Sequence, residues 1–443
     1  MENPVFSCKK ACVFILGTFC MHLFFVRNFN DIDHITPVVW KMKRGNYPVA
    51  VYCINPEYDI QSDYRLNFLK ELGVKVDFIY NEFDQQPGWP HRIIRFLFLR
   101  CLDVRKGFDR GGRQQLSFGS KAFSRLAKRV DYWLYNLLRN KFYDSNWAQR
   151  FLEQSQARVL CFDWIRPHKY VVESFLKAAK EMAIPTVALP HGVFLYTNNS
   201  VQTGSKKAGQ FDRYNHFDYV IVQNRLFKET ISGSGVTGDR ISVLGSARYC
   251  KEWMDQNNKI LPRKIKSADD NSGKLKVIFM TTRPHYRIDV ERLLKTFTLL
   301  ARLDGIEVMV KPHTRSGKEA AMYENIPLSN VADLSSIELC EWADVTLVIA
   351  SSIIIETLIR RKPTLYLKYL HKNTTEYEKM GACWIIHSET ELQEALLSLK
   401  DGQTDLPYAD ENVNRWLTEI IYGGRPERDV LQDYEQFIVN CVI

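Results

Sequence analysis

Short apolar runs alternate along this chain with longer stretches in which apolar residues recur every three or four positions. In the first half, Val49–Ile54, Val74–Tyr80, Arg158–Phe162, Thr186–Leu189, Tyr219–Val222 and Ile241–Leu244 predict strands. Helices are predicted from about Asp31 to Lys43, with Asn30 or Asp31 as N-cap, up to Leu72, and from about His168 to Met182. An earlier apolar run, Ala11 to Val26, follows Lys9-Lys10 and admits two readings, a signal anchor or a first buried strand at Cys12–Leu16 that turns at Gly17. It contains His22, falls short of the roughly 20 residues a membrane helix needs, and no small-residue cleavage site follows it. Those features favour the strand.

Residues 254–274 are polar, with Pro262, a Lys/Arg cluster and Asp269-Asp270-Asn271-Ser272-Gly273, the composition of a linker. The alternation then resumes with strands at Val277–Thr281, Val308–Lys311, Val345–Ile349, Thr364–Leu367 and Cys383–Ile386 and helices near 289–303, 335–342, 352–361 and 388–399. Repeated βαβ units imply parallel, doubly wound sheets. A chain of 443 residues exceeds one ordinary core and suits two of roughly 200 residues. The expected fold class is therefore α/β, two Rossmann-like domains facing across a cleft. Residues 1–253 form the first domain with a helical insert at 92–141, 254–274 the linker, 275–405 the second domain, and 406–443 a helical tail packing back on the first. A cleft between domains is the usual place for a ligand.

Charge sharpens this picture. The net charge is +9, and between Arg92 and Lys141 stand thirteen Lys/Arg against three Asp, so the rest of the chain is close to neutral. Phe96, Phe98, Phe108, Tyr132, Trp133 and other aromatics interleave with these cations. That mixture fits an anionic partner such as lipid headgroups or a charged glycan; the alternative is a solvated helix pair whose aromatics are core. No nucleic-acid module is recognisable, so nucleic acid is not expected. Ten cysteines are scattered singly without a CxxC, which argues against structural zinc and for a reduced, cytoplasmic chain.

Candidate chemistry gathers at predicted strand ends, where parallel α/β sheets bind their ligands. Lys311-Pro312-His313 ends one strand, and a cation and an imidazole on the rim can hold a diphosphate. Ser351-Ser352 follow the run Val345–Ala350; a helix cap would explain one hydroxyl, leaving the other and Glu356 for phosphate and ribose. Thr282 and Arg283 end the first strand of the second domain and reach the same rim, unless Pro284 marks a plain turn. In the first domain His191-Gly192 follows the strand Thr186–Leu189. The histidine is a candidate general base, and Gly192 lets backbone approach an acceptor closely. Asp31-Ile32-Asp33 has a spacing that can hold a metal, but it opens a helix, where Asp is favoured by capping and dipole.

Taken in order, His191-Gly192, Lys311-Pro312-His313 and Ser351-Ser352 with Glu356 resemble the GT-B glycosyltransferase superfamily. The resemblance is nearest to bacterial CDP-glycerol glycerophosphotransferases and capsule-type Kdo or sialic acid transferases, which carry a His-Gly loop, a Lys-x-His-Pro motif and a Ser-Ser pair ahead of a helix. Thr314 stands where that proline is expected, and Ile349 where an Asp often precedes the serines. The resemblance implies His191 as catalytic base, Lys311, His313, Ser351 and Ser352 on the donor phosphates, no bound metal and no cofactor beyond a nucleotide-sugar substrate. It implies a transferase moving a sugar or sugar-like unit from that donor to a glycan or glycolipid acceptor of the cell surface. Such an enzyme would be cytoplasmic, with the basic insert against the anionic inner face of the plasma membrane. Two alternatives share the architecture: a non-hydrolysing UDP-sugar 2-epimerase, although those carry Ser-Gly-Gly and paired glutamates, and a non-catalytic glycan-binding protein.

Overall fold

A computed structural model describes residues 20–85, 142–193 except 165, 168 and 169, 216–265 except 234, 273–282, 288–313 and 326–441, together with Leu137, Leu195 and Tyr323. The described strands form two parallel sheets. The first contains β1 (Met21–Val26), β2 (Val49–Cys53), β3 (Lys75–Phe78), β4 (Ala157–Asp163), β5 (Thr186–Leu189), β6 (Tyr219–Val222) and β7 (Ile241–Val243), in the order β3-β2-β1-β4-β5-β6-β7. The second contains β8 (Leu275–Met280), β9 (Ile306–Lys311), β10 (Ser329–Asn330), β11 (Val345–Val348), β12 (Thr364–Leu367) and β13 (Trp384–Ile386), in the order β10-β9-β8-β11-β12-β13. Both are doubly wound, with winding reversed at one point: between β1 and β4 in the first sheet, and between β8 and β11 in the second. The fold class read from the alternation is the one observed.

Central strands read as unbroken apolar runs because helices cover both faces. One cluster packs Phe25, Phe162 and Val220 under the helices Ser145–Gln154 and Val172–Glu181. A second packs Phe279, Val310 and Leu347 under Val290–Leu300 and Glu389–Lys400. The largest joins the other face of the first sheet, through Tyr249, Trp253 and Trp416, to Ile353, Ile354 and Ile355 beside the second.

Several boundaries differ from the expectation. The first described strand is Met21–Val26; the proposed Cys12–Leu16 strand lies outside the described residues, as does the 92–141 insert apart from Leu137. The helix Phe29–Arg44 starts earlier than expected, because the N-cap is Asn28 and Asp31 closes a capping box onto its backbone N–H. The supposed linker opens inside the helix Lys251–Ile260, a mostly polar segment anchored by the buried Trp253 and Asn257. No described helix is long and apolar enough to cross a membrane.

The C-terminal helices Asp410–Tyr422 and Val430–Asn440 return to the first sheet. Val430–Asn440 packs on Phe29–Arg44, and the Tyr434 hydroxyl donates to the Gly245 carbonyl at 2.9 Å. Gly245 has φ +85°, and a Cβ there would stand 2.3 Å from the Ile421 carbonyl oxygen, so this close approach requires glycine.

Candidate functional site

The carboxyl edge of the second sheet assembles its hydroxyls at the reversal of strand order. Register pairs Met280 of β8 with Val348 of β11, so Thr281-Thr282 and Ala350-Ser351-Ser352 leave the sheet side by side. Ala350 is held at φ +33°, a sparsely populated conformation for a residue with a Cβ. Strain of this kind gathers at ligand sites, where the surrounding structure over-determines it. Capping does not explain the serines. The following helix is only Ile354–Ile359, its N-cap is Ile353, and Ser351 Oγ lies 3.5 Å from the Ile353 N–H. Both serines are half-buried.

The other predicted members of this group are less central. Lys311 ends β9, one strand away from the reversal, and its Nζ donates to the carbonyls of Ala332 and Leu334, both at 2.5 Å, beyond β10. Burial lowers its pKa to about 8. Its hydrogen bonds therefore brace the sheet edge. His313 is half-buried just past β9. Glu356 is buried and ion-paired with Arg360, which also reaches Glu341 at 3.4 Å. Arg283 lies outside the described residues.

The first sheet presents a charged counterpart at its own reversal. Phe25 of β1 pairs with Phe162 of β4, and Asp163 of β4 with Leu189 of β5, so Arg27, Asp163 and His191 emerge from three neighbouring strands. Arg27 Nε donates to Asp163 Oδ2 at 2.8 Å, and Nη2 bonds the same oxygen. His191 Nδ1 lies 3.8 Å from that oxygen, with its ring edge-on to Trp164 at 5.8 Å between centroids. Asp31 accepts the backbone N–H groups of Arg27 and Asn28, and burial together with the nearby Asp163 raises its carboxyl pKa. His34 is buried against Gln223, 3.2 Å away, and burial followed by the charges of Arg248, His191 and Arg65 holds it neutral.

These two edges meet. The Leu195 carbonyl, four residues past His191, accepts the N–H of Glu376 at 2.9 Å. Tyr249 Oη donates to the Ser352 carbonyl at 3.4 Å. Beside Tyr249, Arg248 Nη1 lies 2.6 Å from Asp33 Oδ2, and Arg65 joins Asp33 to Asp63 at 2.8 and 2.6 Å. Asp33 thus belongs to a buried ion network at this junction, and Asp31 to a helix cap. Among the described residues no group of three or more His, Cys, Asp or Glu side chains is arranged to hold a metal ion.

His191 and Gly192 thus lie at the carboxyl edge of the first sheet and Thr282, Ser351 and Ser352 at that of the second, with the two sides joined through Leu195–Glu376 and Tyr249–Ser352. Sequence reasoning missed Arg27, Asp163 and Arg248. Each stands within a few residues of the carboxyl end of a parallel strand, the same signal that singled out His191. Arg27 went unnoticed because the strand Met21–Val26 that leads into it was not among the expected strands.

No protein-family model matches the sequence, and no curated protein sequence matches it. Solved structures do match in shape. The UDP-GlcNAc 2-epimerase from Neisseria meningitidis, bound to UDP-GlcNAc, superposes with a TM-score of 0.51 at 12% identity, covering 95% of this chain and 98% of that one. The enzyme of the same name from Methanocaldococcus jannaschii, in complex with UDP-GlcNAc and UDP, gives 0.50 at 11% identity, covering 90% and 98%. A weaker likeness, 0.49 at 14% identity over 95% and 88%, is to the wall teichoic acid polymerase TagF. The chain has the GT-B fold, two Rossmann-like units as in these UDP-GlcNAc 2-epimerases.

Proposed function

We propose that this protein is a nucleotide-sugar-dependent transferase that passes a sugar or sugar-like unit to a hydroxyl of a glycan or glycolipid. The reading is supported by two strand-order reversals on sheets joined through Leu195–Glu376 and Tyr249–Ser352, one lined by hydroxyls and a strained backbone, the other by a histidine near a buried carboxylate. Ligands of open α/β sheets bind at such reversals. The donor would lie on Thr282, Ser351 and Ser352, whose hydroxyls suit phosphate oxygens. The acceptor hydroxyl would face His191, which takes its proton as the acceptor oxygen attacks the anomeric carbon. The bond from that carbon to the nucleotide phosphate breaks, and the phosphate leaves with the electron pair while serine hydroxyls stabilise the added charge. Lys311 supports the β9–β10 edge in this reading.

A second reading, epimerisation of a UDP-sugar at C2, is favoured by the likeness in fold to epimerases that bind UDP-GlcNAc. A thermal-shift screen with CMP, CDP and UDP tests both. A ligand that binds only the native state raises apparent stability, by about 2.7 kcal/mol at a hundredfold excess over Kd. Failure of all three nucleotides to shift the transition would refute a nucleotide-sugar enzyme. Incubation with UDP-GlcNAc and no acceptor then separates the two, since only an epimerase changes the sugar.

A further inference from the structure

The turn that carries the two serines is tied to the other domain by one side chain. Ala350 keeps φ +33°, and strain of this kind persists only where neighbouring groups over-determine the backbone. Within the turn, the Ser351 and Ser352 carbonyls accept the N–H groups of Ile354 and Ile355 at 3.3 and 3.1 Å. From outside it, the Ser352 carbonyl also accepts the Tyr249 hydroxyl at 3.4 Å. Tyr249 is 1% exposed, and its hydroxyl has no other acceptor among the described residues. Burial raises its pKa, so the hydroxyl keeps the proton it donates.

Tyr249 is fixed in turn from its own side. It follows β7 in a segment whose Ser246 N–H donates to the Ile421 carbonyl at 2.7 Å and whose Gly245 carbonyl accepts the Tyr434 hydroxyl. Its ring lies against Arg248, with the guanidinium carbon 4.7 Å from the centroid. Arg248 is anchored by Asp33 at 2.6 Å, and Asp33 is shared with Arg65 at 2.8 Å. A line of contacts thus runs from the buried ion network of the first domain to the Ala350–Ser352 turn of the second.

We propose that Tyr249 is a positioning residue for the donor: backed by Arg248 and Asp33, it holds the Ala350–Ser352 turn so that the serine hydroxyls face phosphate. The proposal deepens the reading of Ser351 and Ser352 as donor ligands and rests on it. The direction of a serine hydroxyl is set by its backbone, and the cost of ordering a loose turn is subtracted from the binding free energy. Nucleotide affinity therefore depends on an ion pair of the first domain, through one aromatic ring and one carbonyl.

Hydrogen–deuterium exchange of the full-length protein, followed on a peptide spanning residues 349–356, reads the turn without any ligand. Tyr249→Phe removes only the hydroxyl oxygen. It should speed exchange there about fivefold, the effect of one hydrogen bond, with the thermal midpoint almost unchanged. Unchanged exchange in folded Tyr249→Phe overturns the proposal. Calorimetric titration then uses CMP, CDP or UDP, whichever the thermal-shift screen selects. Affinity should fall about fivefold in Tyr249→Phe and by a similar factor in Asp33→Asn. The double variant should lose little more than the worse single one, because both act through the same contacts. Wild-type affinity in Tyr249→Phe, or losses that multiply in the double variant, overturn it. If wild-type protein binds none of the three nucleotides, the nucleotide-sugar reading fails, and exchange at residues 349–356 still decides whether Tyr249 holds the turn.

Discussion

Replacing Arg65 by Met tests the ion network that sets the junction between the two sheets. The Arg65 guanidinium is fully buried, 2.8 Å from Asp33 and 2.6 Å from Asp63, with Phe29 beneath it at 4.1 Å from the ring centroid. Methionine keeps much of the volume and removes the charge, leaving two buried carboxylates. Asp63 keeps the Tyr58 hydroxyl at 2.6 Å and the backbone N–H groups of residues 65 and 66 at 3.0 and 3.4 Å, and Asp33 keeps Arg248. Removing one partner of a buried ion pair costs about 3–5 kcal/mol, a large part of the 5–15 kcal/mol that holds a typical domain folded. Urea unfolding followed by circular dichroism should show the midpoint falling by on the order of 1–2 M for a slope of 2–3 kcal/mol/M. The loss should depend on pH. Burial raises the Asp63 carboxyl, but Arg65, by charge and hydrogen bonds, and the Tyr58 hydroxyl outweigh it and hold the pKa below the ordinary 3.8. In the wild type this contribution is present above that ordinary value and is lost as pH falls through the lowered one. In Arg65→Met burial is opposed only by the Tyr58 hydroxyl and the backbone N–H groups, so the carboxyl protonates at higher pH and the difference between the proteins shrinks towards pH 4. Asp33→Asn and Asp63→Asn added to Arg65→Met should recover most of the loss. A destabilisation below about 1 kcal/mol, or one equal at pH 7 and pH 4, would refute the reasoning.

Other substitutions separate scaffold from site. Gly192 has an ordinary backbone and open space within 4 Å of an added Cβ, so Gly192→Ala should leave stability within about 0.5 kcal/mol; turnover should fall at least about tenfold if an acceptor packs there, and unchanged kinetics would remove Gly192 from the site. Gly245→Ala should cost more than about 2 kcal/mol, from its positive φ and its overlap with the Ile421 carbonyl, read by thermal unfolding. Ser351→Ala with Ser352→Ala should weaken nucleotide binding by about tenfold or more, since hydrogen bonds to charged groups contribute about 1.5–3 kcal/mol each, with the unliganded melting temperature almost unchanged. Lys311→Met should do the reverse, losing about 1–3 kcal/mol of stability by orphaning the carbonyls of Ala332 and Leu334 while nucleotide affinity holds. Loss of nucleotide affinity in a stable Lys311→Met protein would return that lysine to the phosphates.

How far the sequence alone reaches depends on whether a local pattern carries the information. Strands such as Thr186–Leu189, Tyr219–Val222 and Thr364–Leu367 are short apolar runs between polar turns, and they appear where the pattern places them. Two-unit α/β architecture follows from their alternation with amphipathic helices. The neighbourhood of His191-Gly192 and of Ser351-Ser352 was also visible, because a polar residue just past a strand stands out against the apolar run. Which strand lies beside which is not local. Only the orders β3-β2-β1-β4 and β9-β8-β11 put Arg27 against Asp163, set Thr282 beside Ser351, and leave Lys311 one strand off. The partners of a charge are decided the same way: Asp33 looks like half of a metal motif in the chain, yet 32 residues on, Arg65 neutralises it. Sequence determines which segments can be strand or helix, since that depends on side chains a few positions apart. Pairing across the sheets, and with it the electrostatics of every buried group, is decided by packing that joins residues far apart in the chain.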